Sequence, residues 1–217
     1  IARWFDEQYS KTSRPIFVST DIRNAGFKVA HVDANLFPAG FNNLSTQAFN
    51  RATDQLQPYL KTKFPGVKKV LLVPENFTRN LKYLENIDRL KGLLENAGCE
   101  VILGSPEIDA DTVLPELNLH IHALKKVGDF LVTSSGWQPE IILLNNDLTA
   151  GVPEIFSGVS QPILPSIEQG WHSRRKHTHF EAHRNLVAKF AEEFSIDPWL
   201  ISTETRKCGQ INFRDKK

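Results

Sequence analysis

The chain has 217 residues, which at roughly 150 residues per domain makes one large domain or two small ones. Its 41% hydrophobic, 24% charged and 10% aromatic content is that of a folded protein with its own core, and it excludes a disordered chain. The 26 basic and 25 acidic side chains leave a net charge of +1, which argues against a polyanion-coating protein, so no nucleic-acid partner is expected.

Residues 15–22 (PIFVSTDI) are β-rich, and residues 28–34 (KVAHVDA) alternate in and out, so the two segments are expected to pair. Arg23-Asn24-Ala25-Gly26 is the expected turn between them, because Asn and Gly tolerate turn backbone. Ser45 is placed to cap a helix whose face is Phe49, Ala52, Leu56 and Tyr59, at steps of three and four. Pro65-Gly66 ends that unit. Residues 70–73 (VLLV), between Lys-Lys and Pro, suit a buried strand. Asn80 then caps a second helix with the stripe Leu81, Leu84, Ile87, Leu90 and Leu94, and Gly98 closes it. Residues 99–103 form the next strand. Strand, helix, strand at this spacing is a βαβ unit and predicts a parallel sheet.

Further on, Leu117, Leu119 and Ile121 alternate with Asn118, His120 and His122, which suits a strand with one wet face, and residues 130–133 are its expected partner. Residues 141–144 (IILL) are a buried strand that runs directly into Asn145-Asn146-Asp147. Phe180, Val187, Phe190 and Phe194 mark a late helix, and Ile196-Asp197-Pro198-Trp199 starts another or forms a turn. The expected fold class is α/β, a mostly parallel sheet with flanking helices.

Polar residues crowd into five places: residues 20–24, 33–43, 74–80, 145–147 and 170–176. Two of these directly follow the strands at 70–73 and 141–144. In an open α/β sheet, ligands bind outside the carboxyl ends of the strands, so these two clusters belong on one rim. Asn offers both donor and acceptor to an amino acid, and Arg forks onto a carboxylate. The plainer reading is that Asn and Asp after a strand are turn and cap residues. Likewise, the Arg174-Arg175-Lys176 run suits either an anion or a solvated face.

Two cysteines, Cys99 and Cys208, are too few for a disulfide scaffold and point to a reducing, cytoplasmic compartment. The apolar runs are too short to span a bilayer and no secretory signal opens the chain, so no membrane partner is expected. His177, His179 and His183 lie close together, and His120 and His122 share one strand face. No HExxH pattern or cysteine pairing accompanies them, and no metal site is expected. GxGxxG, GxxxxGK[ST] and GxSxG are also missing from the sequence. There is no methionine, and the chain stops at Arg214-Asp215-Lys216-Lys217, which leads to the expectation of a longer parent polypeptide.

The strings DIRNAGFKVAHVDANLFPAGFNNL, PENFTRN, ILLNNDLTAG, GWHSRRKHTHF and DPWLI together resemble the proteobacterial-type glutamate–cysteine ligase (gamma-glutamylcysteine synthetase) family, in its order and from about Trp4 to Cys208. The resemblance implies ATP-dependent joining of the glutamate γ-carboxylate to the cysteine amine. That is the first step of glutathione biosynthesis, and it runs through a γ-glutamyl phosphate. It implies ATP and Mg²⁺ as cofactors, bound mainly outside this segment in an ATP-grasp-like half. Residues 1–160 would then be a pre-ATP-grasp-like (Rossmann-like) α/β domain. Residues 161–217 would begin a helical, linking region. Glutamate and cysteine are the implied small-molecule partners, alongside the rest of the polypeptide or a second chain. The segment alone is expected to be inactive, and the sequence leaves a homo-oligomer open.

Chemistry applied to the matched strings gives the candidate substrate-binding residues. Arg23, Arg79, Arg174 and Arg175 suit a carboxylate or phosphate. Asn24, Asn42, Asn43, Asn76 and Asn146 suit amino-acid head groups, and Asp147 suits an ammonium. Lys28 and Lys176 suit an acyl phosphate. Catalytic residues are not assigned. Two other readings stay open: a non-catalytic amino-acid-binding or assembly module, and a different ATP-dependent carboxylate–amine ligase.

Overall fold

The computed structural model describes residues 1–75, 80–173 and 175–205. The chain opens with helix α1 (Ala2–Ser10), which buries none of its residues. It is held by aromatic edges, with Trp4 packing 5.1 Å from the Phe190 ring. α1 was not expected from the sequence, because it has no apolar stripe facing a core.

Strands β1 (Ser19–Asn24) and β2 (Val29–Asn35) form an antiparallel ribbon separate from the main sheet. The pairing agrees with the sequence, but the turn lies further along. Arg23 and Asn24 are strand residues, and the chain reverses at Ala25–Lys28, where the Ala25 amide donates to the Lys28 carbonyl at 2.9 Å. Gly26 has φ +86°, a left-handed conformation that costs glycine little. The shift has a local cause: the Asn24 side chain accepts from the Gly26 amide at 2.8 Å, so Asn24 introduces the turn from the last strand position.

A 3₁₀ turn (Phe41–Asn43) precedes helix α2 (Thr46–Lys63). Ser45 caps α2 as expected, accepting from the Ala48 amide at 3.2 Å. Strand β3 (Lys69–Val73), helix α3 (Leu81–Asn96) and strand β4 (Glu100–Ser105) make the predicted parallel βαβ unit. Asn80 caps α3 through the Lys82 amide at 3.0 Å. The main sheet continues with β5 (Thr112–Leu114), β6 (Leu119–Val127), β7 (Phe130–Thr133), β8 (Ile141–Leu144) and β9 (Ile163–Leu164). Its order is β5-β6-β4-β3-β8-β9, with β7 pairing to β6. The β3–β4, β3–β8, β4–β6 and β8–β9 pairs are parallel, whereas β5 and β7 run antiparallel to β6. Because β9 pairs with β8, the sheet extends past residue 160. Helix α4 (Lys176–Glu193) and a 3₁₀ turn at Pro198–Leu200 follow.

β3 and β8 read as unbroken apolar runs because both faces of the sheet are covered. On one face, Val70, Leu72 and Leu143 pack with Leu56 and Leu60 of α2 and Leu84, Ile87, Leu90 and Leu94 of α3. On the other, Leu71, Val73, Ile142 and Leu144 meet Phe37, Leu131, Leu148 and Phe156, which come from irregular segments and from β7. Each fully buried Leu or Ile contributes about 1.5–3 kcal/mol relative to exposure, so these two strands carry much of the hydrophobic stabilisation. Gly104 sits where the sheet is tightest: a Cβ there would lie 2.8 Å from Leu71 Cδ1 and 2.6 Å from Leu124 Cδ2. Among the described residues no helix is long and apolar enough to cross a membrane.

Candidate active site

The carboxyl ends of β3 and β8 are adjacent, because the two strands are parallel with Val73 opposite Leu144. The connection out of β3 leads to β4 on one side, while β8 and β9 lie on the other. Such a reversal opens a crevice at the strand ends, and the polar residues after β3 and β8 fall at its mouth.

Two adjoining cavities occupy this rim. One, of about 320 Å³, is walled by Asn42, Asn43, Tyr83, Asn86 and Asn145, among others. The other, of about 490 Å³, is walled by Glu107, Asn146, Thr149 and Gly151. Glu75 and Asp147 line both. A larger cavity of about 700 Å³ lies between residues 14–18 and α2. Its wall is mostly apolar, with Ile16, Phe17, Phe41 and Leu56 beside a few polar groups such as Arg14 and Gln55, whereas the rim cavities are walled mainly by polar side chains.

A hydrogen-bonded chain holds the smaller cavity in shape. The Tyr83 hydroxyl accepts from the Glu75 amide at 2.5 Å and donates to Asn145 Oδ1 at 2.7 Å. The Asn145 amide group in turn donates to the Pro38 carbonyl, and its backbone N–H donates to Val73 at 2.8 Å. Tyr83 therefore ties α3 to the ends of both strands. Burial pushes the Tyr83 phenol above the usual tyrosine range, outweighing the lowering effect of the Glu75 amide, so the hydroxyl stays protonated as a donor. Asn86 is 4% exposed, and its Oδ1 accepts from the Phe41 amide at 2.9 Å, pinning the 3₁₀ turn that carries Asn42 and Asn43. Desolvation raises the Glu75 carboxyl above its ordinary value, and the neighbouring Asp147 carboxylate adds to the rise. Asp147 Oδ1 is occupied by the Thr149 amide at 3.0 Å and the Thr149 hydroxyl at 2.7 Å.

The candidate residues from the sequence divide by position. Asn42, Asn43, Asn146 and Asp147 gather at the rim. Asn146 and Asp147 also fill the plainer role of turn residues, since Asn146 Oδ1 accepts from the Leu148 amide at 2.8 Å. Arg23, Asn24 and Lys28 do not join them. They sit at the closed end of the β1–β2 ribbon, and Asn35, at its open end, is the ribbon residue on the cavity wall. The six steps from Val29 to Asn35 span roughly 20 Å at strand rise. Lys28 lies 4.3 Å from the Trp199 ring, a cation–π contact that gives it a local role. Lys176 pairs with Asp33 at 2.8 Å, and Arg175 is the N-cap position of α4 with no side-chain cap bond. Asn76, Arg79, Arg174 and Cys208 lie outside the described residues. Cys99 is buried, as expected of a packing cysteine.

Glu75 and Asn145 fall within the polar clusters at 74–80 and 145–147 but were not among the candidate ligands, and Tyr83 and Asn86 were not singled out from the sequence. Asn86 carried a usable signal: it is an amide next to Ile87 in the apolar face of a helix, where a polar side chain must have a partner. Among the described residues no group of three or more His, Cys, Asp and Glu side chains is placed to hold a metal ion, so no residue here is assigned to one.

A mostly parallel α/β sheet with a polar crevice at its switch point defines an α/β protein of the open-sheet type. Residues 1–217 match the family model described as GshA, glutamate-cysteine ligase, and the chain belongs to that family. It is also similar to a solved structure from Methylobacillus flagellatus KT described as a "Putative gamma-glutamylcysteine synthetase", at 39% identity and a TM-score of 0.86. The match covers 93% of this chain and 48% of that one, so this chain spans about half the length of its structural relative. No curated protein matches.

Proposed function

We propose that this chain is the substrate-binding portion of a ligase that joins the γ-carboxylate of glutamate to the amine of cysteine. Family membership supports the reaction, and the polar crevice at the β3/β8 rim is the single structural observation that supports a substrate site. The proposed chemistry transfers a phosphoryl group to the γ-carboxylate, leaving ADP, and the cysteine amine then attacks the acyl phosphate to form the amide and release inorganic phosphate. ATP supplies the phosphoryl group, and Mg²⁺ neutralises its charge, both bound mainly outside the residues described here. The contribution of this chain is to hold an amino acid in a fixed orientation, which removes much of the entropic cost of bringing two substrates together. Lys176, Arg175 and the rim asparagines remain the proposed contacts to substrate. A cytoplasmic setting fits a buried, unpaired Cys99.

The test is ADP release by the full-length protein carrying this sequence, with ATP, Mg²⁺, glutamate and cysteine. ADP formation that requires both amino acids, with γ-glutamylcysteine as product, is the expected result. No ADP on adding both would overturn the ligase reading. ADP formed only with a different amine or carboxylate would move the chemistry to other substrates.

A further inference from the structure

The smaller rim cavity has a polarity that narrows what it can hold. Asn86 lies on α3 and is 4% exposed. A backbone N–H can only donate, so the bond from the Phe41 amide assigns Oδ1 to that side and turns Nδ2 the other way. Among the described residues the bond from the Phe41 amide is the one hydrogen bond of the Asn86 side chain, and Asn86 is part of the cavity wall. A donor from a nearly buried side chain therefore faces the cavity and is left for a ligand.

At the mouth stand the two carboxylates, Glu75 and Asp147. Lys82 on the same wall is held by Glu85 at 2.7 Å, so it does not neutralise them. The mutual repulsion and desolvation that act on Glu75 are relieved by a cation placed between the two groups. A donor at the base and negative charge at the mouth match a zwitterion. About 320 Å³ is at the lower end of small-molecule sites, which run from roughly 300 to 1,000 Å³.

We infer that this cavity seats the head group of an α-amino acid, with Asn86 Nδ2 donating to its α-carboxylate and Glu75 and Asp147 flanking its ammonium. The inference rests on the ligase reading above for the identity of the amino acid, which is one of the two substrates.

The clean perturbation is Asn86→Asp. It keeps an oxygen for the Phe41 amide and replaces the donor by an oxygen that repels a carboxylate. In steady-state kinetics of the full-length protein, KM for glutamate or for cysteine is expected to rise about 10- to 100-fold, the loss of a hydrogen bond to a charged group. KM for ATP stays unchanged. Glu75→Gln and Asp147→Asn weaken the same amino acid, but not its des-amino analogue, which inhibits wild type and both variants equally. Unchanged KM values for both amino acids in Asn86→Asp would overturn the inference while ligation by wild type upholds the proposed function. A parallel rise in all three KM values, or equal weakening of the des-amino analogue, would also overturn it. Absence of ligation by wild type would instead fail the ligase reading, and calorimetry with free glutamate and free cysteine then decides the head-group site on its own: binding of either one that Asn86→Asp abolishes supports it, and no binding of either refutes it.

Discussion

Removing one hydroxyl at Tyr83 tests whether the rim is held as described. Tyr83→Phe keeps the ring and deletes two hydrogen bonds, from the Glu75 amide at 2.5 Å and to Asn145 Oδ1 at 2.7 Å. Each bond contributes about 0.5–1.5 kcal/mol net. The two losses differ in kind. The Glu75 amide is at an exposed position and can turn to water. Asn145 is 4% exposed, so its oxygen loses its donor where water is scarce, at a further cost of about 1–3 kcal/mol if left unpaired. Since these costs overlap, a net loss of about 2–3 kcal/mol is expected. For a chain of this length, that corresponds to a fall in melting temperature of about 4–12 °C. Equilibrium urea unfolding followed by circular dichroism measures the first, and a thermal melt the second. A loss below about 0.5 kcal/mol would refute the argument, because it would mean that water replaces the hydroxyl fully and that Tyr83 does not tie α3 to the strand ends.

Three further outcomes are expected. Burial, and then the facing His31 of β2 and His179 of α4, lower the His183 pKa below 6.5, so its share of stability is present above pH 6.5 and is lost as pH falls through the folded-state value. His183→Gln should therefore flatten the dependence of melting temperature on pH between about 7.5 and 5.5, and an unchanged slope would exclude this group as the cause. Asp111 is held at about 2, chiefly by the Ser134 hydroxyl and the Ala123 amide, with His122 as a smaller contribution, against an ordinary 3.8. Its contribution is thus complete above pH 3.8 and disappears through about 2; NMR titration of the carboxyl carbon with a midpoint near 3.8 would refute it. Gly104→Ala should destabilise by about 1–3 kcal/mol in urea unfolding, because the new methyl meets Leu71 and Leu124 in a packed interior, and a neutral substitution would show that those side chains can move aside.

The legible parts of the sequence were those where local pattern and burial coincide. Residues 70–73 and 141–144 are unbroken apolar runs, and only a strand covered on both faces needs one. Ser45 and Asn80 cap helices through bonds that span two or three residues, so position in sequence suffices. The resemblance to the glutamate–cysteine ligase family rested on contiguous strings, and the match over residues 1–217 agrees with it. Helix α1 escaped because its aromatic residues grip Phe190, far along the chain, instead of forming an apolar stripe of their own.

The site behaved differently. From strand periodicity alone, the clusters after β3 and β8 could be put on one rim, since parallel strands bring equivalent ends together. Which side chains share a cavity could not be read that way. Asn86 meets Phe41 across 45 residues and Tyr83 meets Asn145 across 62, and such pairings exist only once α3 has docked on the sheet. Arg23 and Lys28, chemically apt as anion ligands, were carried away from the rim by the direction of the β1–β2 ribbon. Sequence by itself determined the family, the parallel core and the edge of the sheet where polar groups collect. Tertiary structure decided which of those groups face one another. The reason is physical: caps and periodicity are short-range, whereas a cavity wall is assembled from helix, strand end and loop that meet only through long-range packing.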